Sequence, residues 1–435
     1  MTSTTNTVKV PQLAWWGDIE AELSFPKNWE VTTCHMQGHD APKLSHEGFR
    51  KAFENPIGCK PIRELARGKE NVVILFDDLS RPTKAAEIVP FILEELAVAG
   101  VKEDNIQFIC AQAAHGGLTA YDFAKKLGED IIARFNVYNH NPYDNFTYIG
   151  TTSRGTPVSL NTEFVKADFK IGIGALVPHI TAGFGGGGKI VLPGIASIET
   201  ILYNHGPVRN RAKETGIESN TGMGSNENNA QLFDIEEACS MSGLDIKIDA
   251  VVNIKRDTTA LFVGDPIAQH YEGMKLAKKH YFTLLPDNSN VVVANCNAKV
   301  NETLIAVRVA ESLVPDSGGT VVIITNNPGG EVPHYLRRRF GNHMAGRTWK
   351  APSLPPKVKK FILLMPYMNK ASADWFAPSE SITWAKSWED VRGILETDYP
   401  DGAKAAIIPD ATIQFFDAAS VLWYVGQGAD APEKH

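Results

Sequence analysis

Asn71-Val-Val-Ile-Leu-Phe-Asp-Asp-Leu-Ser-Arg-Pro-Thr83 decides the fold class. Its first six residues make a continuous apolar run of the kind found in strands buried on both faces of a parallel sheet. A helical pattern follows from Lys84 to about Ala99 and stops at Gly100. Asn105-Ile-Gln-Phe-Ile-Cys-Ala reads as the next strand, and Ala120 to Gly128 as another helix with its own glycine stop. Strand, helix, strand in this order is a βαβ unit, which implies a parallel sheet with right-handed crossovers. Ligands of such sheets bind beyond the carboxyl ends of the strands. Asp77-Asp78 and His115 fall just there. So does His179, after the strand-like run Phe169-Lys-Ile-Gly-Ile-Gly-Ala-Leu-Val.

A second α/β pattern begins near Ser289. Asn290-Val-Val-Val-Ala-Asn reads as a strand, Glu302 to Leu313 as a helix, and Gly319-Thr-Val-Val-Ile-Ile-Thr as a strand. Phe361-Ile-Leu-Leu-Met and Ala405-Ala-Ile-Ile-Pro repeat the strand pattern. The expected architecture is α/β, with two α/β domains of mainly parallel sheet and the active site in the cleft between them. Residues 1–280 form the N-terminal domain with the chemical motifs. Residues 285–435 form a C-terminal domain that closes the cleft, its last segment packing back on the first. The polar, Gly/Asn/Ser-rich stretch from Asn210 to Leu232 reads as a surface excursion able to act as a lid.

A chain of 435 residues exceeds one compact core, so two domains are the default. It is 43% hydrophobic and 21% charged, ordinary for a soluble globular protein. A formal net charge of −7 argues against nucleic-acid binding, which calls for a basic patch or stripe. No apolar stretch approaches the roughly 20 residues that span a bilayer. The start of the chain lacks the positive end and apolar core of a signal peptide. Five scattered cysteines without a C-x-x-C pair make neither a disulfide framework nor a zinc site. The cytoplasm is the expected location.

Four segments carry groups suited to chemistry. In the stretch that ends at Thr83, two carboxylates at a strand end are followed by Arg81 and by Pro82 opening a helix. Arg81 can hold a substrate carboxylate with a forked pair of hydrogen bonds, and Asp78 can orient that arginine or a catalytic histidine. The competing reading makes the aspartates helix caps and Arg81 a surface ion pair. In Ala113-Ala-His115-Gly-Gly the imidazole is flanked by small residues, so a ligand can approach it, and its ordinary pKa suits proton transfer near neutrality. Taken alone, a histidine bonded to a turn carbonyl is slightly the better reading.

His179-Ile-Thr-Ala-Gly-Phe-Gly-Gly-Gly-Gly-Lys189 places an imidazole and an amine either side of a glycine run. Without side chains along Gly185 to Gly188, a flat ligand could lie against bare backbone, and Lys189 could either grip an anion or bond covalently to a cofactor. Gly183 to Lys189 has the G-x-x-x-x-G-K spacing of a P-loop, but Ile190 stands where a magnesium-binding hydroxyl belongs. The fourth segment, Tyr203-Asn-His205-Gly-Pro, gains interest only from the others. His115, His179 and His205 sit in separate loops and lack the close pairing of a zinc site.

The ordered set resembles the lactate racemase family, the nickel-pincer-dependent racemases and epimerases of 2-hydroxy acids. It comprises Asp78-x-x-Arg81-Pro82-Thr83, His115, His179, Lys189 ten residues later and His205 sixteen beyond that. Tyr148-Ile-Gly-Thr-Thr-Ser-Arg-Gly-Thr-Pro, Leu192-Pro-Gly-Ile and Gly264-Asp-Pro-x-x-x-x-His270 are similar to flanking stretches of that family. The resemblance implies that Lys189 holds a nickel-pincer nucleotide through a thioamide, with Thr83, Gly186, Gly187 and Gly188 around the cofactor. It implies His205 as the nickel ligand, His115 and His179 as the two acid/base groups, and Asp78, Arg81 and Arg308 as substrate-side residues. Proteins that mature the cofactor are implied partners, alongside a small 2-hydroxy acid, with neither nucleic acid nor membrane.

The chemistry agrees with that set. The C–H bond beside a hydroxyl and a carboxylate is a poor acid, so inversion by hydride removal needs an electron sink that side chains do not provide. One histidine takes the hydroxyl proton on one side and the second serves the other enantiomer. Three positions depart from the lactate-active members: Ile305 and Arg308 replace a glutamine–lysine pair, keeping the charge and losing the amide, and Gly116 follows His115 in place of an arginine. The expected substrate is therefore larger than lactate, such as a sugar acid or an aryl or dicarboxylic hydroxy acid. The competing readings are a non-catalytic hydroxy-acid or phosphate-binding protein and, behind it, a P-loop-like nucleotide hydrolase.

Overall fold

The structure is a computed structural model that describes residues 5–208, 222–286, 288–336, 353–373 and 375–416. The chain divides into two compact units, Gly38–Tyr281 and Met1–Gln37 with Phe282–His435. Its first residues supply an antiparallel hairpin, Thr5–Gln12 (β1) with Ile19–Pro26 (β2), and a short strand, Glu30–Thr33 (β3).

The unit Gly38–Tyr281 is built on a six-stranded sheet. Its strands are Val72–Phe76 (β4), Ile106–Cys110 (β5), Asn136–Asn139 (β6), Phe169–Ala175 (β9), Ile246–Val252 (β12) and Thr258–Gly264 (β13). Between them run two small hairpins, Phe146–Thr151 (β7) with Pro157–Asn161 (β8), and Pro178–His179 (β10) with Gly183–Phe184 (β11). The sheet order is β13-β12-β9-β4-β5-β6, parallel except for β13 at its edge. β4 is wholly buried. Val72, Ile74 and Phe76 point into one core with Phe49, Ile92, Leu96 and Phe123, so by strand alternation Val73 and Leu75 face the opposite side. Each such side chain contributes roughly 1.5–3 kcal/mol of hydrophobic burial.

The helix expected from Lys84 is regular only over Val89–Ala99. A 3₁₀ turn, Ala85–Glu87, precedes it because Pro90 fits only the first turn of a helix. It ends as expected at Gly100, whose φ of 86° lets its N–H and that of Val101 reach back to Ala97 and Leu96. Ala120–Leu127 is fixed at its start by a capping box between Thr119 and Asp122. The chain steps from β4 through β5 to β6 on one side, then resumes with β9 on the other. This reversal between β4 and β9 is where open α/β sheets bind ligands.

The second sheet contains Val291–Cys296 (β14), Gly319–Thr325 (β15), Val358–Leu364 (β16), Ile382–Ala385 (β17) and Lys404–Ile408 (β18), in the all-parallel order β17-β16-β15-β14-β18-β3. The expected domain of residues 1–280 therefore needs correction at its start. β3 pairs with β18, and Val10, Leu23, Phe25 and Trp29 share a core with Val291, Val322 and Trp388. Phe25 meets Trp388 edge-on at 5.1 Å, and the indole Nε1 of Trp388 donates to Ser24 O at 2.9 Å. The last segment, 417–435, lies outside the described residues. So do residues 210–221 of the expected lid, whose far end is not a surface excursion. Asn229 caps the helix Ala230–Ser242, and Gln231, Leu232 and Asp234 on it are buried. Among the described residues no helix is long and apolar enough to cross a membrane.

Candidate active site

β4 delivers Asp77, Asp78 and Arg81 to the reversal point, with His115 following β5 on one side and His179 following β9 on the other. Asp78 is buried. Its Oδ1 accepts from the N–H of Ser80 at 3.0 Å and from the Ser80 hydroxyl, and its Oδ2 lies 2.6 Å from Nδ1 of His115. Burial alone would raise the Asp78 pKa. The charge of the His115 ring when it is protonated, its hydrogen bond, Arg81 and Ser80 together outweigh it and hold the carboxyl well below the usual range. Arg81 turns Nη1 to the carbonyl and hydroxyl of Ser80, both at 2.9 Å, and stays partly open to solvent. The helix-cap reading of Asp78 therefore fails: the carboxylate orients a histidine.

Asp77 does something the sequence did not reveal. Its Oδ1 meets the fully buried amine of Lys126 at 2.6 Å, while Oδ2 accepts from the Thr83 hydroxyl at 2.7 Å and from Ala175 N at 3.0 Å. The same amine donates to the carbonyls of Asp78 and Arg81, both at 2.9 Å, so it straps the whole turn. The Thr83 hydroxyl, expected at a cofactor, is engaged by Asp77 instead. A second buried ion pair, Lys247 with Asp249, lies on β12. A Cβ on Gly174 would come within 3.1 Å of the Lys247 amine, 3.5 Å of Asp77 Oδ2 and 3.6 Å of Asp249 Oδ1, so these groups converge over that glycine. The signal was present in Ile246-Lys-Ile-Asp-Ala-Val-Val: two charges in an otherwise apolar buried strand.

The glycine run is not bare. Asp249 Oδ2 accepts from Gly187 N at 2.7 Å, and Gly185 N donates to Val177 O at 2.7 Å. A Cβ on Gly186 would sit 2.8 Å from Asp249 Oδ1, one on Gly187 2.6 Å from the His270 ring, and one on Gly188 2.8 Å from Cys239 Cβ. Protein fills the space where a flat ligand was expected, and Gly187 also needs its φ of 51°. A 3₁₀ turn, Gly187–Ile190, follows in place of the helix a P-loop requires, and the Asp249 carboxylate accepts from its first N–H. Asp249 thus takes the Gly187 N–H that a P-loop would turn to a phosphate, which speaks against the P-loop reading of this turn.

His179 opens the hairpin of β10 and β11. Its Nδ1 accepts from Thr181 N at 3.3 Å and Ala182 N at 3.1 Å. His205 lies in a π-helical turn, Asn204–Val208, that continues the helix Ile198–Tyr203. Its Nδ1 lies 3.1 Å from Ile201 O. Beside it Asn204 is buried, donating to Asp234 Oδ2 at 2.7 Å and accepting from Gln231 Nε2 at 3.2 Å. Asp234 also accepts from the hydroxyls of Thr152 and Thr156, at 2.6 and 2.7 Å. The helix Ala230–Ser242 thus anchors the His205 turn, and the Lys189 turn packs on the same helix. Among the described residues no group of three or more His, Cys, Asp or Glu side chains gathers as metal ligands, so the three histidines do not form a zinc-type site. Arg308 lies in the other unit, on the helix Thr303–Leu313, 2.6 Å from Glu311 Oε2.

Residues 16–216 match the sequence pattern of the lactate racemase N-terminal domain. The lactate racemase of Thermoanaerobacterium thermosaccharolyticum is 32% identical over 234 residues, covering 53% of this chain and 53% of that protein. The lactate racemase of Lactiplantibacillus plantarum is 33% identical over 241 residues, covering 54% and 55%. The chain thus spans about half the length of the curated relatives it matches. Among solved structures, the lactate racemase apoprotein from T. thermosaccharolyticum superposes with a TM-score of 0.69 at 23% identity, over 94% of this chain and 100% of that one. A Thermotoga maritima protein does so with a TM-score of 0.60 at 17% identity, over 82% and 97%. At these identities the structural likeness shows the fold alone.

Proposed function

From the premise that this chain belongs to the lactate racemase family, whose N-terminal domain pattern it matches over residues 16–216, we propose that it inverts the hydroxyl-bearing C2 of a 2-hydroxy acid. The observation that carries this reading is the order of groups across the sheet. His115 follows β5 and His179 follows β9, with Asp78 and Arg81 in the turn after β4 between them. An inversion needs a proton acceptor for each hand of the substrate, with the carboxylate held in the middle.

In this reading Arg81 anchors the substrate carboxylate, and Ser80 holds the guanidinium in place. Asp78 fixes the His115 ring, so its other nitrogen can take the hydroxyl proton. His179 serves the opposite hand. The donor chemistry also suits a nickel-pincer nucleotide. His205 gives its Nδ1–H to the Ile201 carbonyl, the outer hydrogen bond that metal-binding imidazoles make, and would present Nε2 to a metal, while Lys189 would supply the amine for a covalent tether. When bound, that group supplies the hydride acceptor that side chains lack. Gly186, Gly187 and Gly188 contribute by seating the Lys189 turn on Asp249, His270 and Cys239. Gly116, which gives the surroundings of His115 no side chain there, favours a substrate larger than lactate, such as a sugar acid or an aryl or dicarboxylic hydroxy acid. Cofactor-maturation proteins are proposed partners, and the cytoplasm the proposed location.

The test is mass spectrometry of the peptide containing Lys189, with nickel quantified in the same sample, on protein made alongside the maturation machinery. An unmodified lysine and no nickel would sink the cofactor assignment. A substrate deuterated at C2 should be inverted with its label largely retained, and washout into water would point to proton abstraction instead.

A further inference from the structure

The two histidines are held by partners of opposite polarity. Asp78 Oδ1 is occupied by the N–H and hydroxyl of Ser80, and its Oδ2 faces Nδ1 of His115. An ionised carboxylate only accepts, so that Nδ1 must carry a proton. At His179 the partners are backbone N–H groups, of Thr181 and Ala182. An N–H only donates, so this Nδ1 must carry a lone pair. Both arrangements are anchored from outside the rings. Lys126 straps the Asp78 turn through the carbonyls of Asp78 and Arg81. Asn229 Nδ2 donates to Thr181 O at 2.8 Å, and Gly224 N to Gly183 O at 2.8 Å, which fixes the peptides that address His179.

We propose that the fold pre-sets the two histidines in opposite tautomers, His115 as the Nδ1–H form with its lone pair on Nε2, and His179 as the Nε2–H form. His115 is then the proton acceptor of the resting site, and His179 a hydrogen-bond donor. The functional consequence rests on the racemase reading above. The substrate hand whose hydroxyl faces His115 loses its proton to the site as it stands. To serve the opposite hand the His179 ring must carry a proton on Nδ1, with both backbone N–H contacts released, so that Nε2 can take that hand's hydroxyl proton or return one without leaving an imidazolate.

The test is a two-bond ¹H–¹⁵N correlation spectrum of the full chain labelled with ¹⁵N-histidine, near neutral pH. His115→Gln and His179→Gln assign the two rings by loss of signal. Should either variant not fold, contacts between the ring and the Thr181 and Ala182 amide protons identify His179 in the unaltered chain. The expected spectrum shows a protonated Nδ1 at His115 and a protonated Nε2 at His179. Asp78→Asn should move His115 toward the Nε2–H form, because a carboxamide can turn an N–H to the ring, and leave His179 unchanged. The same tautomer at both rings, or a fast-averaged mixture at either, overturns the proposal. No nickel or substrate is needed, so this failure would leave the racemase reading standing. An unmodified Lys189 in matured protein would defeat that reading and leave the tautomers untouched.

Discussion

Lys126→Met isolates the strap beneath the site. The amine is fully buried and meets Asp77 Oδ1 at 2.6 Å and the carbonyls of Asp78 and Arg81 at 2.9 Å each. Burial pulls its pKa below the usual lysine value, with Asp77 and Asp78 opposing that. Methionine nearly conserves the volume, so the cavity term is small. The change leaves Asp77 buried with only Thr83 and Ala175 on Oδ2. Removing one partner of a buried ion pair costs about 3–5 kcal/mol. At roughly 2–4 °C per kcal/mol for a domain of this size, the Tm of the unit Gly38–Tyr281 should fall by about 6–20 °C. Calorimetry of the full chain measures the shift, and hydrogen exchange across 72–83 and 120–127 assigns it to this unit. The double variant Asp77→Asn/Lys126→Met should recover part of the loss, since no buried charge then lacks its partner. A Tm drop below about 3 °C, or strictly additive effects, would refute the strap and with it the account of how Asp78 is held.

Asp78 gives an acid signature. Its folded pKa lies below the unfolded value of about 3.9, so its stabilisation is complete above that value and is lost as pH falls through the folded one. Asp78→Asn should therefore flatten the acid limb of a stability–pH curve below about pH 4 and leave a smaller, constant loss near neutrality; an unchanged limb would place the depressed carboxylate elsewhere. Gly187→Ala should lose well over 1 kcal/mol by urea unfolding, because its Cβ would meet the His270 ring at 2.6 Å on a backbone with φ of 51°, whereas Gly206→Ala, with nothing within 4 Å, should stay within about 0.5 kcal/mol. Equal effects would contradict the packing of the loop. Asp234→Ala strands the donors of Thr152, Thr156 and Asn204 and should cost about 3 kcal/mol or more. In matured protein it should also lower the nickel-to-protein ratio, and full nickel retention would separate Asp234 from the His205 turn.

The strands that place the site were legible because each is an apolar run, but the reversal between β4 and β9 was not, since chain order does not say on which side of β4 the strand β9 pairs. The first 37 residues were not. Glu30-Val-Thr-Thr is a half-exposed edge strand without a hydrophobic period, and its partner β18 lies at the far end of the chain. Nothing local announces such a pairing. Lys126 was hidden for a different reason. Beside Lys125 near a helix end it resembles a solvated lysine, and only the position of Asp77 beneath it turns it inward. The glycine run misled in the opposite sense. Absent side chains are visible in a sequence, but what occupies the vacated space is not, and here Asp249, His270 and Cys239 occupy it.

The histidines mark the boundary between what spacing conveys and what it does not. For His179 the deciding partners are the N–H groups two and three residues onward, a relation that a local turn enforces by itself. His115 depends on a carboxylate 37 residues earlier, brought to it by the pairing of β4 with β5. Either residue alone has the structural reading as its better explanation, because a buried imidazole needs some partner in any protein. What distinguishes this pair is that one partner can only accept and the other can only donate. A purely structural role would tolerate either polarity at either ring, so the opposed polarity, and not the burial of the rings, is what the tautomer measurement tests.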